Sequence, residues 1–171
     1  KAYLGEVFDI HAGGLDLIFP HHENEIAQSC CAHGTNHMAR YWLHNGFVTM
    51  NDEKMSKSLG NIITVAEVTA RYRPEVLRAA LLSAHYRAPL DLSENAMQDA
   101  QNSLDRLYRA AGEAKPSDME LDDAFMACLC DDLNTPAAMA RLHEMARLAN
   151  KGDQTAAAAL KSNAQLMGLL R

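Results

Sequence analysis

The spacing of apolar and polar residues divides the chain into a first part that mixes strand-like and helix-like segments and a second part that is helical. Residues 7–10 form an apolar run that predicts a strand, and the glycine pair that follows predicts a turn. A helix is predicted over 20–34, because the segment begins with proline and ends with glycine. Residues 46–51 (GFVTMN) alternate like a buried strand, and the polar stretch 52–61 (DEKMSKSLGN) predicts a loop.

From about residue 64, apolar residues recur every three or four positions, which is the period of an amphipathic helix. Two helices are predicted up to residue 86, with Pro74 opening the second, and Ser93 is expected to cap a third. The residues predicted to face the core of the second part are Ala96, Ala100, Leu104, Leu107, Ala111, Leu121, Phe125, Leu129, Met139, Leu142, Met145 and Leu148.

The remaining segments complete a helix bundle. Residues 112–118 (GEAKPSD) have the composition of a linker. Thr135 is expected to cap the next long helix, with Pro136 at its first position, and an alanine-rich last helix is expected to end at Arg171. The pattern as a whole predicts an α/β region followed by an all-α region.

Composition and charge exclude several classes of protein. Apolar residues make up 48% of the chain, as in ordinary globular domains, and no apolar run is long enough to span a membrane, so we expect a cytoplasmic protein. Net charge is −6, and residues 91–171 carry 8 Lys and Arg against 13 Asp and Glu, which argues against a broad nucleic-acid-binding surface. The four cysteines are expected to be reduced thiols in the core.

The start of the first predicted helix carries a candidate metal site. His21 and Glu25 are four residues apart and share a helix face, and imidazole and carboxylate are both zinc ligands. The nearest cysteine lies nine residues further along the helix, roughly 13 Å away, so other ligands must come from elsewhere. His22 points to another face and is expected to pack or to make polar contacts. The alternative is a solvated helix start, since a carboxylate there complements the helix dipole.

The pentapeptide Lys54-Met55-Ser56-Lys57-Ser58 is the most specific signal in the chain, with a chance frequency on the order of once in ten thousand chains of this length. It lies in a predicted loop after a strand. Two ammonium groups, with serine hydroxyl and backbone N–H donors, suit the binding of phosphates. The alternative is a solvated surface loop.

With these segments identified, the chain resembles the cysteinyl-tRNA synthetases, which are class I aminoacyl-tRNA synthetases. The resemblance rests on HAGGLDLIFPHHENEIAQ (11–28) and KMSKSLGN (54–61), and it continues through 75–94 and 131–146. It implies the second half of a class I Rossmann-like catalytic domain followed by a helical bundle. The implied activity is ATP-dependent activation of cysteine to cysteinyl-adenylate and its transfer to tRNA(Cys), without any membrane.

The resemblance also implies that the chain is divided into three structural regions. Residues 1–62 would be the nucleotide-binding part of the catalytic domain, 63–92 a helical connector that contacts the tRNA stem, and 93–171 a tRNA-binding-like bundle with its linker near 112–118.

The resemblance assigns roles to the candidate residues. In the family, His21 and Glu25 join two cysteines that are not in this chain to hold a zinc ion, and the zinc binds the substrate thiolate and so excludes serine. Gly13, Gly14 and Asp16 would contact the adenylate. Ala12 stands where the family commonly has a third glycine, which would tighten the turn if that position needed a positive φ.

The lysine-rich loop, residues 54–58, would bind ATP with Mg2+, and Lys54 and Lys57 would steady the triphosphate and the leaving pyrophosphate. Lys57 is the residue on which we expect catalysis to depend most.

The same resemblance predicts that the chain is a fragment. The family's His-x-Gly-His element, both zinc cysteines and the anticodon-recognising region do not occur in it. We therefore expect it to be inactive alone and to bind zinc weakly. A sheet without its first strands would leave an apolar edge, which favours oligomerisation. Two alternatives stay open: a related ligase that joins cysteine to an amino-sugar in thiol biosynthesis, and a non-catalytic tRNA-binding relative.

Overall fold

A computed structural model describes residues 3–50, the backbone of 53–54, residues 64–116 and residues 121–171. They form two units. The first, here the α/β unit, comprises Lys1–Phe47 and Tyr86–Pro89, and the second, the helical unit, comprises Val48–His85 and Leu90–Arg171. Within the described residues, none of the helices is both long and apolar enough to cross a membrane.

The α/β unit is built on two parallel strands, β1 (Phe8–Gly14) and β2 (Ala39–Asn45). The register runs from Phe8 opposite Ala39 to Gly14 opposite Asn45. β1 therefore continues through the glycine pair, which was wrongly predicted to form a turn. Strand β2 was not predicted at all, because its polar and aromatic residues do not alternate in a regular pattern.

Between the two strands lies α1 (Glu23–His33), and a wide helical turn leads directly into it, so that the backbone is helical from Pro20, where the helix was predicted to begin. The chain first makes a short turn at Leu15–Leu17 and then a wide helical turn at Ile18–His22. Phe19 is extended (φ −135°, ψ 133°), because the following proline disfavours helical backbone in the residue before it. The predicted end of the helix is confirmed: Gly34 adopts the left-handed conformation (φ 68°).

The helical unit begins with a small sheet. Its central strand, β3 (Val48–Met50), pairs in antiparallel fashion with β4 (Glu53–Lys54) and in parallel with β5 (Leu90–Asp91). The predicted loop over 52–61 thus contains two strand residues, 53 and 54. Residues 55–61 lie outside the described part of the chain.

Six helices follow, and their bounds are α2 Val65–Arg71, α3 Pro74–Leu82, α4 Glu94–Ala111, α5 Asp123–Cys130, α6 Thr135–Ala149 and α7 Gln154–Leu166. Pro74 opens α3 and the Ser93 hydroxyl accepts from the backbone N–H of Ala96, as predicted for both. The predicted cap of α6 is wrong by one residue. Asn134 caps it, with its side-chain oxygen 3.2 Å from Ala137 N, and asparagine caps better than threonine.

The core of the helical unit follows most of the predicted stripes, but Leu121 and Leu129 are only partly buried, and two further positions differ. Met97 is buried while Ala96 is only partly so, and Leu148 is 39% exposed while Ala146 is buried. The side chains that are fully buried here are Val76, Leu104, Leu107, Phe125, Leu142, Leu160, Asn163, Leu169 and Leu170.

The last helix ends at Leu166 and not at Arg171 as predicted. Gly168 and Leu170 both have positive φ values, 75° and 57°, so the chain turns away from the helix. Arg78 Nε donates to Met167 O at 2.6 Å and the Glu75 carboxylate accepts from Leu170 N, which holds this turn against α3.

All four cysteines are free thiols. Cys30 and Cys128 are partly buried, but Cys31 and Cys130 are exposed, so the expectation of core cysteines is wrong for the last two.

Candidate metal centre

The two predicted zinc ligands, His21 and Glu25, lie at the start of α1. His21 Nε2 is 3.5 Å from Glu25 Oε1, and the two side chains are 60% and 35% exposed. They therefore share one helix face and are open to solvent.

A second imidazole approaches the same carboxylate from strand β1. His11 Nε2 lies 2.9 Å from Glu25 Oε2, so each oxygen of Glu25 faces a different histidine. One ligand atom from each of His11, His22 and Glu25 lies within 4.8 Å of the others. Two imidazoles and one carboxylate form a donor set that zinc accepts in proteins. Sequence reasoning had placed only Glu25 of these three residues at the metal.

His22 is the buried member of the cluster. Its side chain is nearly inaccessible to solvent, and its Nδ1 lies 2.9 Å from His44 Nε2 on β2. Because one of these two nitrogens must accept, at least one of the two rings is not protonated there. Burial lowers the pKa of His22, and the charges of His11 and His44 lower it further. A neutral imidazole is the form that binds metals.

Trp42 forms one wall of the cluster. Its ring centroid is 4.8 Å from that of His11, 5.3 Å from that of His22 and 6.2 Å from that of His44. Strand pairing produces this arrangement, since His11 lies opposite Trp42 and Gly13 opposite His44.

The glycines predicted to contact an adenylate adjoin this cluster. A Cβ on Gly13 would lie 3.0 Å from Cε1 and Nε2 of His22, so a side chain there would push against the buried ring. A Cβ on Gly14 would lie 2.5 Å from the Asp16 carboxylate, which folds back over the end of β1. None of residues 12–14 has a positive φ, so the condition under which Ala12 would strain the backbone does not arise.

The predicted phosphate-binding loop cannot be placed in the same way. The backbone of Lys54 pairs with Thr49 across β3 and β4. Its side chain and residues 55–58 lie outside the described part of the chain. The roles of Lys54, Met55, Ser56, Lys57 and Ser58 stay predictions.

Comparison with known families now identifies the chain. The family described as tRNA synthetases class I (C) catalytic domain matches residues 1–102, and the DALR domain matches 124–171. The chain belongs to the class I (C) tRNA synthetase catalytic-domain family. The α/β fold with a helical region after it agrees with the predicted fold class.

The chain is also similar to curated cysteine–tRNA ligases. It is 53% identical to that of a Chelativorans species over 99% of this chain and 35% of the relative, and 52% identical to that of Rhodospirillum centenum over 99% and 38%. The chain thus spans about a third of the length of the relatives it matches.

Two solved structures share the fold. One is LeuRS of Agrobacterium radiobacter in a ternary complex with tRNA and LeuAMS, with a TM-score of 0.69 and 17% identity over 94% of this chain and 25% of that one. The other is Mycobacterium tuberculosis methionyl-tRNA synthetase with methionyl-adenylate, with a TM-score of 0.58 and 20% identity over 94% and 40%. At these identities the likeness concerns the fold alone.

Proposed function

We propose that this chain is a segment of a cysteine–tRNA ligase, which activates cysteine with ATP as cysteinyl-adenylate and transfers it to tRNA(Cys). The observation that carries the proposal is the Glu25 carboxylate held between two imidazoles at the start of α1. Zinc, which binds thiols, accepts such nitrogen and oxygen donors, and the similar proteins are named for cysteine.

His21 and Glu25 would supply two ligands to a zinc ion, and the remaining ligands would come from outside this chain. A bound zinc ion lowers the pKa of a cysteine thiol and binds the resulting thiolate, which a serine hydroxyl cannot match. His11 would donate a hydrogen bond to Glu25 and fix the direction of its carboxylate, as the groups behind a metal ligand commonly do.

The nucleotide would lie beyond the end of β1. Ligands of parallel sheets gather at the carboxyl ends of the strands, where Gly13, Gly14 and Asp16 follow one another. Lys54 and Lys57, with Met55, Ser56 and Ser58, would bind ATP with its Mg2+ and stabilise the leaving pyrophosphate.

The fragment alone is proposed to be inactive and to hold zinc weakly, since at least part of the ligand set would lie in the longer protein. Cysteine-dependent ATP–pyrophosphate exchange tests this. A full-length ligase that contains this segment should catalyse the exchange and charge tRNA, and the 171-residue chain should not. Exchange catalysed by the isolated chain would contradict the proposal.

The amino-sugar ligase is the alternative enzyme. The DALR match over residues 124–171 and the names of the relatives favour the tRNA ligase. Supplying the full-length protein with cysteine, ATP and either tRNA or an amino-sugar separates the two, because each enzyme consumes only its own acceptor. A non-catalytic relative would use neither acceptor.

A further inference from the structure

Trp42 on β2 contacts three imidazole rings of the candidate metal centre. Its ring centroid is 4.8 Å from that of His11, with 60° between the two planes, so one ring turns its edge toward the other. The indole is tilted against His22 at 5.3 Å and stacked with His44 at 6.2 Å. Aromatic rings at these separations stabilise one another beyond the apolar area that they bury. Trp42 therefore holds several rings of the cluster in place at once, although the proposed zinc chemistry gives it no part.

The pairing of the two strands fixes where the indole lies. Trp42 is directly opposite His11 in the parallel register of β1 and β2. Side chains alternate between the two faces of a sheet, so Trp42 and His44 lie on one face and Tyr41 lies on the other. Trp42 is partly buried, whereas Tyr41 is 66% exposed. The indole is thus attached to hydrogen-bonded backbone, on the face that carries the histidines.

His11 depends on such packing, because a hydrogen bond fixes only one of its two ring nitrogens. Nε2 lies 2.9 Å from Glu25 Oε2, and Glu25 is the one hydrogen-bond partner of this imidazole among the residues that the structure describes. In many metal sites the second ring nitrogen is hydrogen-bonded to a carbonyl or a carboxylate, which sets the direction of the imidazole. Nδ1 of His11 has no such partner within the described part of the chain. The direction of the ring must therefore come from the groups packed around it.

Three aromatic rings contact His11, and Trp42 is the best anchored of them. Phe8 is further away, with its ring centroid at 5.7 Å. His22 is as close as Trp42, at 4.8 Å, but it lies in the turn before α1 and itself packs on the indole. Trp42 is the neighbour that strand pairing places opposite His11. Removal of the indole would leave the imidazole of His11 free to rotate.

We propose that Trp42 is a positioning residue of the metal centre, whose indole fixes the imidazole of His11 and, through it, the carboxylate of Glu25. The inference rests on the proposed function, in which Glu25 is a zinc ligand. Glu25 Oε1 lies 3.5 Å from His21 Nε2, so each carboxylate oxygen faces one imidazole. A carboxylate that loses its contact with His11 is no longer held in one direction. A ligand that must be ordered on binding holds its metal more weakly than one that is ordered beforehand.

The test is the zinc affinity of a full-length ligase that contains this segment, measured by competition with a chromogenic chelator. Groups that orient metal ligands commonly change metal affinity about 10- to 100-fold. Because Trp42 acts through His11, Trp42→Leu should weaken zinc binding by about 10-fold, at the lower end of this range. Trp42→Phe keeps an aromatic edge and should lose less. Tyr41→Leu is the control, because it removes an aromatic side chain from the other face of the same strand, and it should leave zinc affinity unchanged.

Kinetics separate positioning from general damage to the fold. In cysteine-dependent pyrophosphate exchange with excess zinc, Trp42→Leu should raise the KM for cysteine by about 10-fold and leave kcat and the KM for ATP unchanged. A loss of folded protein would instead lower the apparent kcat and leave both KM values as they are. That second pattern in a variant that melts like the unaltered ligase would contradict a positioning role.

The decisive measurement is the coupling between Trp42 and His11. His11→Ala should itself weaken zinc binding, and adding Trp42→Leu to it should weaken binding no further, because the indole acts through the imidazole. Additive losses would overturn the inference, and so would a Trp42→Leu variant that binds zinc as tightly as Tyr41→Leu does. If thermal melting shows that Trp42→Leu does not fold, Trp42→Phe takes its place in the same cycle, with a smaller loss and the same lack of additivity expected.

Glu25→Gln distinguishes failure of this inference from failure of the proposed function. If Glu25→Gln weakens zinc binding and Trp42→Leu does not, Trp42 has no positioning role and the proposed ligand stands. If neither variant weakens zinc binding, the inference and the zinc site of the proposed function are both wrong.

Discussion

The two units differ in how much apolar surface they bury. The helical unit has a continuous core in which Leu104, Leu107, Phe125 and Leu142 are inaccessible to solvent. In the α/β unit, the buried apolar residues among those described are Met38 and Ala39. Its exposed large apolar residues are Tyr3, Leu4, Ile10, Leu15, Leu17, Ile18, Phe19 and Tyr41.

The residues that stabilise the fold and the residues of the candidate metal centre therefore lie in different units. The helical unit has the burial that stabilises a fold on its own, whereas the α/β unit holds the histidine cluster on a sheet of two strands, which is marginal in isolation. Ile10 and Tyr41 are paired neighbours on β1 and β2 and are 61% and 66% exposed. Exposed apolar neighbours of this kind mark surfaces that another polypeptide covers. We expect another polypeptide segment, or a second copy of the chain, to cover this face.

The largest effect expected from this comparison is on the free energy of unfolding. Phe125→Ala removes a ring that is completely buried in the helical unit and should cost about 3–5 kcal/mol. Ile10→Ala removes a side chain that is mostly exposed in the α/β unit and should change stability by less than about 0.5 kcal/mol. Urea unfolding measures both. Similar losses for the two variants would mean that the units are not stabilised differently.

A smaller effect is expected where two helices of the bundle are joined by an ion pair. Asp122 caps α5 by accepting from Phe125 N at 2.8 Å, and it binds Arg141 of α6 at 2.8 Å. Asp122→Ala removes both interactions and should cost about 2–3 kcal/mol. Glu144 is the control, because it also contacts Arg141 but is 57% exposed.

Glu144→Ala should change the free energy of unfolding by less than about 0.5 kcal/mol. Equally small losses for Asp122→Ala and Glu144→Ala would show that the helix cap and the partly buried ion pair do not stabilise the fold. The hydrogen bond from Arg141 holds the pKa of Asp122 below its usual value. The stability that this carboxylate contributes should therefore be present above pH 4 and be lost as the pH falls through the lowered pKa.

The smallest expected effect is a pH dependence in the helical unit. Burial, and then the charge of Arg106, lower the pKa of His143. The folded chain thus binds this proton less readily than the unfolded chain, so stability should fall as the pH drops below about 6.5. Comparing urea unfolding at pH 7.5 and 5.0 measures the loss, and His143→Gln should reduce it. If His143→Gln loses as much stability between pH 7.5 and 5.0 as the unaltered chain, the group responsible is not His143.

Local signals in the sequence predicted most of the helical unit and the end of α1 in the α/β unit. Pro74, Ser93 and Gly34 act through hydrogen bonds and dihedral angles within a few residues, so their roles could be read directly. The cap of α6 was misplaced because Asn134 and Thr135 are adjacent and both suit the position. The end of α7 depends on contacts of residues 167–170 with Glu75 and Arg78, far away in sequence.

The candidate site was predicted less completely, because it too depends on contacts between residues that are far apart in sequence. The spacing of His21 and Glu25 is local, and the structure places the two side chains together. His11, Trp42 and His44 come together only through the parallel pairing of β1 with β2, whose register no local pattern indicates. The one available signal was that Trp42 and His44 are two residues apart, which puts them on one face of a strand.

The most direct test of the central claim is the KM for cysteine in pyrophosphate exchange by a full-length ligase that carries Glu25→Gln. Glu23→Gln, which removes the same charge from the exposed first turn of α1, is the control. If Glu25 holds the metal that binds the thiol, Glu25→Gln should raise the KM for cysteine about 10- to 100-fold and leave the KM for ATP unchanged, while Glu23→Gln changes neither. Equal KM values for cysteine in the two variants would contradict the account.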